Sequence, residues 1–108
     1  MESSEVVRSL GALAHPVRLE IFRALVVAGA DGLTPGVIAE ALDLPSATLS
    51  FHLKELATSE LVGSSRASRH IIYRANYARM DGVIGYLTEN CCGGQACLPR
   101  RVESACAA

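Results

Sequence analysis

The sequence predicts a mainly α fold with a small β-hairpin, a winged helix-turn-helix. Three observations carry this expectation. Val37, Ile38, Ala41 and Leu42 recur at helical spacing. A break at Asp43-Leu44-Pro45 precedes a second helix with Leu49, Leu53 and Leu56 inward. Leu61-Val62 and Ile71-Ile72-Tyr73 then read as short strands around a polar, arginine-bearing stretch from Ser64 to Arg69. A helix whose outer face is small, polar and basic suits the major groove, which admits one helix and offers base edges to side chains.

The remaining elements follow from caps and periodicity. Ser3 or Ser4 is expected to cap a first helix bearing Val6, Val7, Leu10 and Leu13. His15-Pro16 restarts the chain, because proline at the first helical position is pre-organised. That second helix carries Ile21, Phe22, Leu25 and Val26 and stops near Gly29 and Gly32. Thr34-Pro35 opens the third helix in the same way, and the fourth runs from about Pro45-Ser46 to Ser59. Asn76 caps a last helix with Tyr77, Met80, Val83, Ile84 and Leu87 on one stripe. The first and last helices have apolar faces with nothing left inside to cover them. A homodimer through those two helices is therefore expected, with two reading helices about one DNA turn apart.

Size and composition fit one domain over residues 1–90 and a non-periodic tail over residues 91–108. Half of the 108 residues are hydrophobic, which excludes a disordered tail protein. No apolar run approaches the roughly 20 residues of a membrane span. The acidic start MESSEVVRSL lacks the layout of a secretory signal, so a cytoplasmic location is expected. The formal net charge is −1, unlike most DNA binders. Its distribution offsets this: Lys54, Arg66, Arg69, Arg74 and Arg79 face only Glu55 and Glu60 between positions 46 and 79. An enzyme is not expected, since no carboxylate pair, nucleophile–base set or phosphate loop occurs at usable spacing.

The candidate DNA-reading residues are Ser46, Ala47, Thr48, Ser50, Phe51, His52 and Lys54 on the fourth helix, with Arg66 and Arg69 at the hairpin tip. Hydroxyls exchange hydrogen bonds with bases and phosphates, and Lys54 neutralises a phosphate. Phe51 is suited to a thymine methyl. An arginine at a wing tip reaches the minor groove or backbone. The plainer alternative is that Phe51 or His52 is packed and Ser46 only caps the helix. His15 and His70 lack ligand-spaced partners and read as a helix-start residue and a strand surface residue.

The segments LGALAHPVRLEIFRAL, VIAEALDLPSATLSFHLKELATSELV and SSRASRHIIYRAN resemble, in order and spacing, the ArsR/SmtB family of metalloregulatory repressors. The resemblance covers about positions 9–77. It implies a homodimeric repressor that sits on double-stranded operator DNA and releases it when an inducer binds. It also implies that Ser46 to Ser59 is the recognition helix and that Arg66 and Arg69 mark the wing. Two sensing sites of the family are missing here. The third-helix segment DGLTPGVIAEAL has no cysteine, and the last helix offers Asp81 and Glu89 but no histidine.

All four cysteines, Cys91, Cys92, Cys97 and Cys106, fall in the tail. Gly93-Gly94 permits a tight reversal, so Cys97 can fold back onto the adjacent pair. Soft thiolates select soft ions. Trivalent arsenic takes three sulfur bonds in a pyramid, and some arsenic-sensing members of the family look similar in this tail. Cys91, Cys92 and Cys97 are therefore the expected As(III) inducer site, with Cys106 spare or a substitute third ligand. Antimonite or methylarsenite would suit the same sulfurs. Cadmium or lead on four sulfurs, a thiol redox switch, or a tail with incidental cysteines remain open at this point.

Overall fold

The computed structural model describes residues 1–94. Five helices and one hairpin follow in order: α1 Ser3–Leu13, α2 Pro16–Ala28, α3 Pro35–Leu42, α4 Ser46–Thr58, β1 Val62–Ala67, β2 His70–Ala75 and α5 Tyr77–Leu87.

Local chemistry sets most boundaries. His15 caps α2, its Nδ1 accepting from the Val17 N–H at 3.1 Å, and Pro16 follows at the first helical position. Thr34 and Pro35 repeat the arrangement for α3, with the Thr34 hydroxyl accepting from Val37 at 3.4 Å. Asn76 caps α5 through the Arg79 N–H at 3.2 Å. The first cap differs from expectation. Glu2 holds the capping position, and its N–H donates to the Glu5 carboxylate at 3.0 Å, so Ser3 and Ser4 lie inside the helix.

The turn between α3 and α4 is short. Asp43 takes a left-handed conformation with φ of 55°, and the Leu44 N–H closes onto Ala39 C=O at 2.9 Å. Pro45 then fixes the extended residue from which α4 starts. This geometry throws α4 across α2 and α3.

The core lies where these helices meet. Ile21, Phe22 and Leu25 of α2 pack with Ile38 of α3, Leu49, Leu53 and Leu56 of α4, and Leu61, Val62 and Ala75 from the base of the hairpin. The inward leucines of α4 recur at 4 and 3 residues, and this one stripe fixes which face of the helix remains outside.

The hairpin is antiparallel, from Val62↔Ala75 at its base to Ala67↔His70 at its end, with Ser68-Arg69 as the two-residue turn. Ser68 supplies the positive φ of 60° that such turns use. Both strands outrun the short apolar runs that announce them, because backbone pairing continues through Ser64, Ser65 and Arg66 to Ala67. Leu33 joins as a bridge to Tyr73, with N···O distances of 2.9 and 2.8 Å in the two directions. The wing is thereby tied to the segment leading into α3.

Candidate nucleic-acid interface

On α4, the inward stripe leaves Ser46, Ala47, Thr48, Ser50, Phe51 and Lys54 exposed. They span the first two and a half turns, the end of the helix away from the hairpin. Phe51 is unusual among them, a large apolar ring 56% exposed. Arg66 and Arg69 are also exposed, on β1 and in the turn that closes the hairpin. Arg69, His70 and Ile71 line a cleft of about 600 Å³ whose other wall is Thr34, Gly36 and Val37 at the start of α3. Hydroxyls, one ring and a cation thus lie on the outer face of α4, and two further exposed cations lie on the hairpin, whose turn borders the start of α3.

His52 does not belong to that surface. It is 6% exposed and turned toward α2, where its Nδ1 accepts from Arg18 Nε at 3.2 Å. Its ring lies 4.7 Å from the ring of His15 and meets Phe51 edge-on at 5.4 Å. Burial lowers the His52 pKa below the usual histidine range, and the neighbouring His15 and Arg18 push it the same way. A neutral imidazole is the form this geometry needs, because only an unprotonated Nδ1 accepts from arginine.

Two arginines of the basic stretch are also spoken for. Arg74 Nε donates to Ala30 C=O and its Nη1 to Ser65 Oγ, both at 2.7 Å. Arg79 pairs with Glu60 at 3.0 Å and with Glu5 at 3.8 Å. The charge of Arg79 is balanced inside the chain, whereas Arg74 is fixed by neutral partners and keeps its charge. Lys54, Arg66 and Arg69 are thus the cations of the stretch whose side chains no hydrogen bond or ion pair holds among the described residues. Arg18 was invisible to the sequence reading, since nothing local to α4 announces a side chain 34 residues away.

Residues 13–62 match a family model described as a helix-turn-helix domain. The chain carries a helix-turn-helix domain. Solved structures extend the likeness to the hairpin. An ArsR-like transcriptional regulator from a Rhodococcus species is 27% identical, covering 78% of this chain and 76% of its own, with a TM-score of 0.70. HlyU from Vibrio cholerae is 27% identical over 85% of this chain and 99% of its own, with a TM-score of 0.66. NolR from Sinorhizobium fredii is 29% identical over 81% and 84%, with a TM-score of 0.65. No curated protein matches the sequence. The fold is a winged helix-turn-helix that matches those of these solved regulators. Within the helix-turn-helix domain α4 occupies the second-helix position, the one that enters the major groove in this motif.

The cysteine region lies beyond α5. Cys91 and Cys92 open a short kinked turn three residues after Thr88 caps that helix, and the Cys91 N–H bonds Thr88 C=O at 3.0 Å. Their Sγ atoms are 3.6 Å apart. Cys92 and Gly93 both have positive φ, 56° and 67°, so the left-handed turn falls at Cys92-Gly93, one residue before the Gly93-Gly94 pair expected to form it. Cys92 is disulfide-bonded. Cys97 and Cys106, the third ligand and its substitute in the sequence reading, lie outside the described residues. Among the described residues no three His, Cys, Asp or Glu side chains form a metal-binding group.

One further surface bears on assembly. Leu10 and Leu13 of α1, Leu19, Phe22, Val26 and Val27 of α2, and Met80, Val83, Ile84 and Leu87 of α5 line an apolar groove of about 440 Å³. Leu19, Val27 and Leu87 are 46%, 83% and 59% exposed. No helix among the described residues is long and apolar enough to cross a membrane.

Proposed function

We propose that the chain is a homodimeric repressor that binds operator DNA through α4 and the hairpin and releases it when trivalent arsenic binds Cys91, Cys92 and Cys97. The observation that supports DNA binding is the coincidence of the matched domain with the exposed face of α4. Thr48, Ser50, Phe51 and Lys54 lie outward on the helix, and Arg66 and Arg69 extend the face along the wing. Such a face reads base edges with its helix and holds phosphates with its cations.

The dimer reading rests on the groove between α1, α2 and α5. An apolar patch of that kind is covered by a partner in a soluble protein. A second copy covers it by two-fold symmetry and sets the spacing of the two α4 helices. A winged-helix regulator from Mycobacterium bovis with the same fold, 24% identical, is described as homodimeric.

The inducer reading rests on the paired sulfurs. A bond of roughly 2.3 Å from a soft centre to each thiolate puts two sulfurs on one atom about 3.4–3.8 Å apart. The Cys91 and Cys92 sulfurs lie 3.6 Å apart, within reach of one thiophilic atom once Cys92 is reduced. The third sulfur comes from Cys97 in this proposal. Arsenite reacts as a neutral hydroxide: each thiol proton leaves with one hydroxyl as water while an arsenic–sulfur bond forms. The cysteines must be reduced for this, and Cys92 carries a disulfide. In a second reading, oxidation of the tail thiols is itself the signal.

One titration separates these. The reduced protein is bound to a fluorescent duplex of the region upstream of its own gene, then challenged with arsenite, antimonite, cadmium, lead and peroxide in turn. Release by micromolar arsenite and antimonite supports the proposal. Release by peroxide alone supports the redox reading, and release by cadmium or lead alone supports a divalent sensor. Failure to bind any duplex removes the DNA-binding reading.

A further inference from the structure

We infer that Phe51 reads the 5-methyl group of a thymine in the major groove and that Arg18 is its positioning residue. The inference rests on the DNA-binding reading above.

Phe51 is a whole aromatic ring on a face of small polar groups and one cation. Such exposure leaves apolar area that a partner can remove from water. The same helix face carries Lys54, and the wing carries exposed Arg66 and Arg69, so a polyanion is the partner whose charge suits this part of the molecule. Duplex DNA is a polyanion that presents an apolar group in its major groove, and that group is the thymine methyl.

The ring is held rather than loose. The Arg18 guanidinium carbon sits 5.8 Å from its centroid, a cation–π contact reaching across from α2. Arg18 is fixed in turn, with Nε donating to His52 Nδ1 at 3.2 Å. His52 closes the set by meeting the Phe51 ring edge-on at 64° and lying against His15, the cap of α2. A cap, a buried imidazole and a guanidinium therefore brace the ring, and its other side stays open. A ring so braced gives up little rotamer freedom on binding, which makes its contact selective rather than adaptable. Ser50 beside it can bond the O4 acceptor that accompanies the methyl on thymine.

Deoxyuridine tests this directly, because it keeps every hydrogen-bonding group of thymine and lacks only the methyl. The full chain is used to enrich a duplex from a random-sequence pool, and each thymine of that duplex is replaced singly by deoxyuridine. Wild-type protein should lose about fourfold in affinity at one thymine per half-site, the value of one buried methyl group. Phe51→Ala should bind the thymine and uracil duplexes equally. Arg18→Met should shrink the wild-type ratio to under about twofold, and Arg18→Lys should restore most of it by returning a cation to the ring. An uracil-insensitive wild type, or an undiminished ratio in Phe51→Ala, overturns the inference about Phe51. Equal weakening of both duplexes by Arg18→Met, with the ratio kept, shows Arg18 to be merely structural and overturns its positioning role. A pool that yields no enriched duplex at all overturns the DNA-binding reading itself, and the inference with it.

Discussion

Arg79 at the start of α5 and Glu60 at the foot of the wing form an ion pair, with 3.0 Å between Nη2 and Oε2. Asn76 reinforces the junction. Its side-chain amide donates to Glu60 C=O at 2.9 Å, and its backbone N–H donates to Leu61 C=O at 2.8 Å. The helix that leads into Cys91 is therefore strapped to the segment joining α4 to the hairpin. The first turn of α5 is thus the point through which a change in that helix reaches the junction of α4 and the hairpin.

Arg79→Met should break that route with little damage to the fold. The Glu60 side chain is well exposed and returns to water when its partner goes, so the ion pair contributes only about 1 kcal/mol. The methionine keeps an unbranched stem of similar length in this largely buried position. The prediction concerns coupling, the ratio of duplex affinities without and with arsenite. That ratio should fall several-fold in Arg79→Met, with duplex affinity in the absence of arsenite close to wild type. An unchanged ratio would place the coupling route elsewhere.

Gly32 and Gly29 offer a matched test of how the wing is anchored. Both have backbone angles open only to glycine, with φ of 67° and 71°. A Cβ on Gly32 would sit 2.5 Å from Tyr73 C=O, against the bridge that ties Leu33 to the hairpin. A Cβ on Gly29 would meet nothing within 4 Å. Gly29→Ala should thus cost about 1–3 kcal/mol through backbone strain alone. Gly32→Ala should cost more by about 1–3 kcal/mol, through overpacking against backbone that cannot move aside. Urea midpoints for the two variants decide it, and equal losses would argue that the bridge gives way freely.

How legible this molecule is in its sequence depends on the range of the interaction. Proline after a capping residue, at His15-Pro16 and Thr34-Pro35, is a local signal, and the helices begin there. The inward stripe of α4 is equally local, since Leu49, Leu53 and Leu56 alone decide which face is buried. His52 escapes this logic. By spacing it lies at the edge of the stripe, and only Arg18 and His15 on another helix draw it inward. Arg74 reads as a surface cation until Ala30, 44 residues away, takes its Nε–H. Strand length was underestimated for a related reason, because polar Ser64 and Ser65 pair through their backbones and leave no hydropathy signal.

Ser9 supplies a prediction in the opposite direction. Its residue is fully buried, and its Oγ has no hydrogen-bond partner among the described residues. A buried hydroxyl left unpaired carries a desolvation cost of about 1–3 kcal/mol. Ser9→Ala removes the hydroxyl without enlarging the side chain. The variant should be more stable than wild type by roughly 1 kcal/mol in urea titration. A loss of stability would show that Ser9 bonds something in the dimer.

Acidity should weaken the fold through His52. Its folded pKa is lowered by burial first, then by His15 and Arg18, so the native state resists the proton that the unfolded chain accepts near pH 6.5. The stabilisation is complete above that pH. It is lost as pH falls from about 6.5 toward the lowered native value, because the unfolded state binds the proton first. The wild-type urea midpoint should therefore drop between pH 7.5 and 5.5. His52→Gln keeps an acceptor for Arg18 without the titration, and should show a flatter profile. Parallel profiles for the two proteins would assign the acid sensitivity to other groups.

The inducer's chemistry gives the last prediction, and it separates arsenic from divalent ions without any structure of the complex. Thiols near their ordinary pKa of about 8.5 are mostly protonated at neutral pH. A divalent ion must expel those protons, so its apparent affinity climbs steeply as pH rises. Arsenite instead returns each thiol proton in a molecule of water and releases almost none. Arsenite-driven release of the duplex by the reduced protein should therefore keep nearly the same midpoint between pH 6.5 and 8, whereas cadmium should shift by orders of magnitude. Cys91→Ser and Cys92→Ser should each retain duplex binding and lose the arsenite response, since either change leaves only one sulfur of the 3.6 Å pair. Duplex binding lost in both variants would mean that the turn after α5 holds the reading domain together, and the cysteines would then be structural.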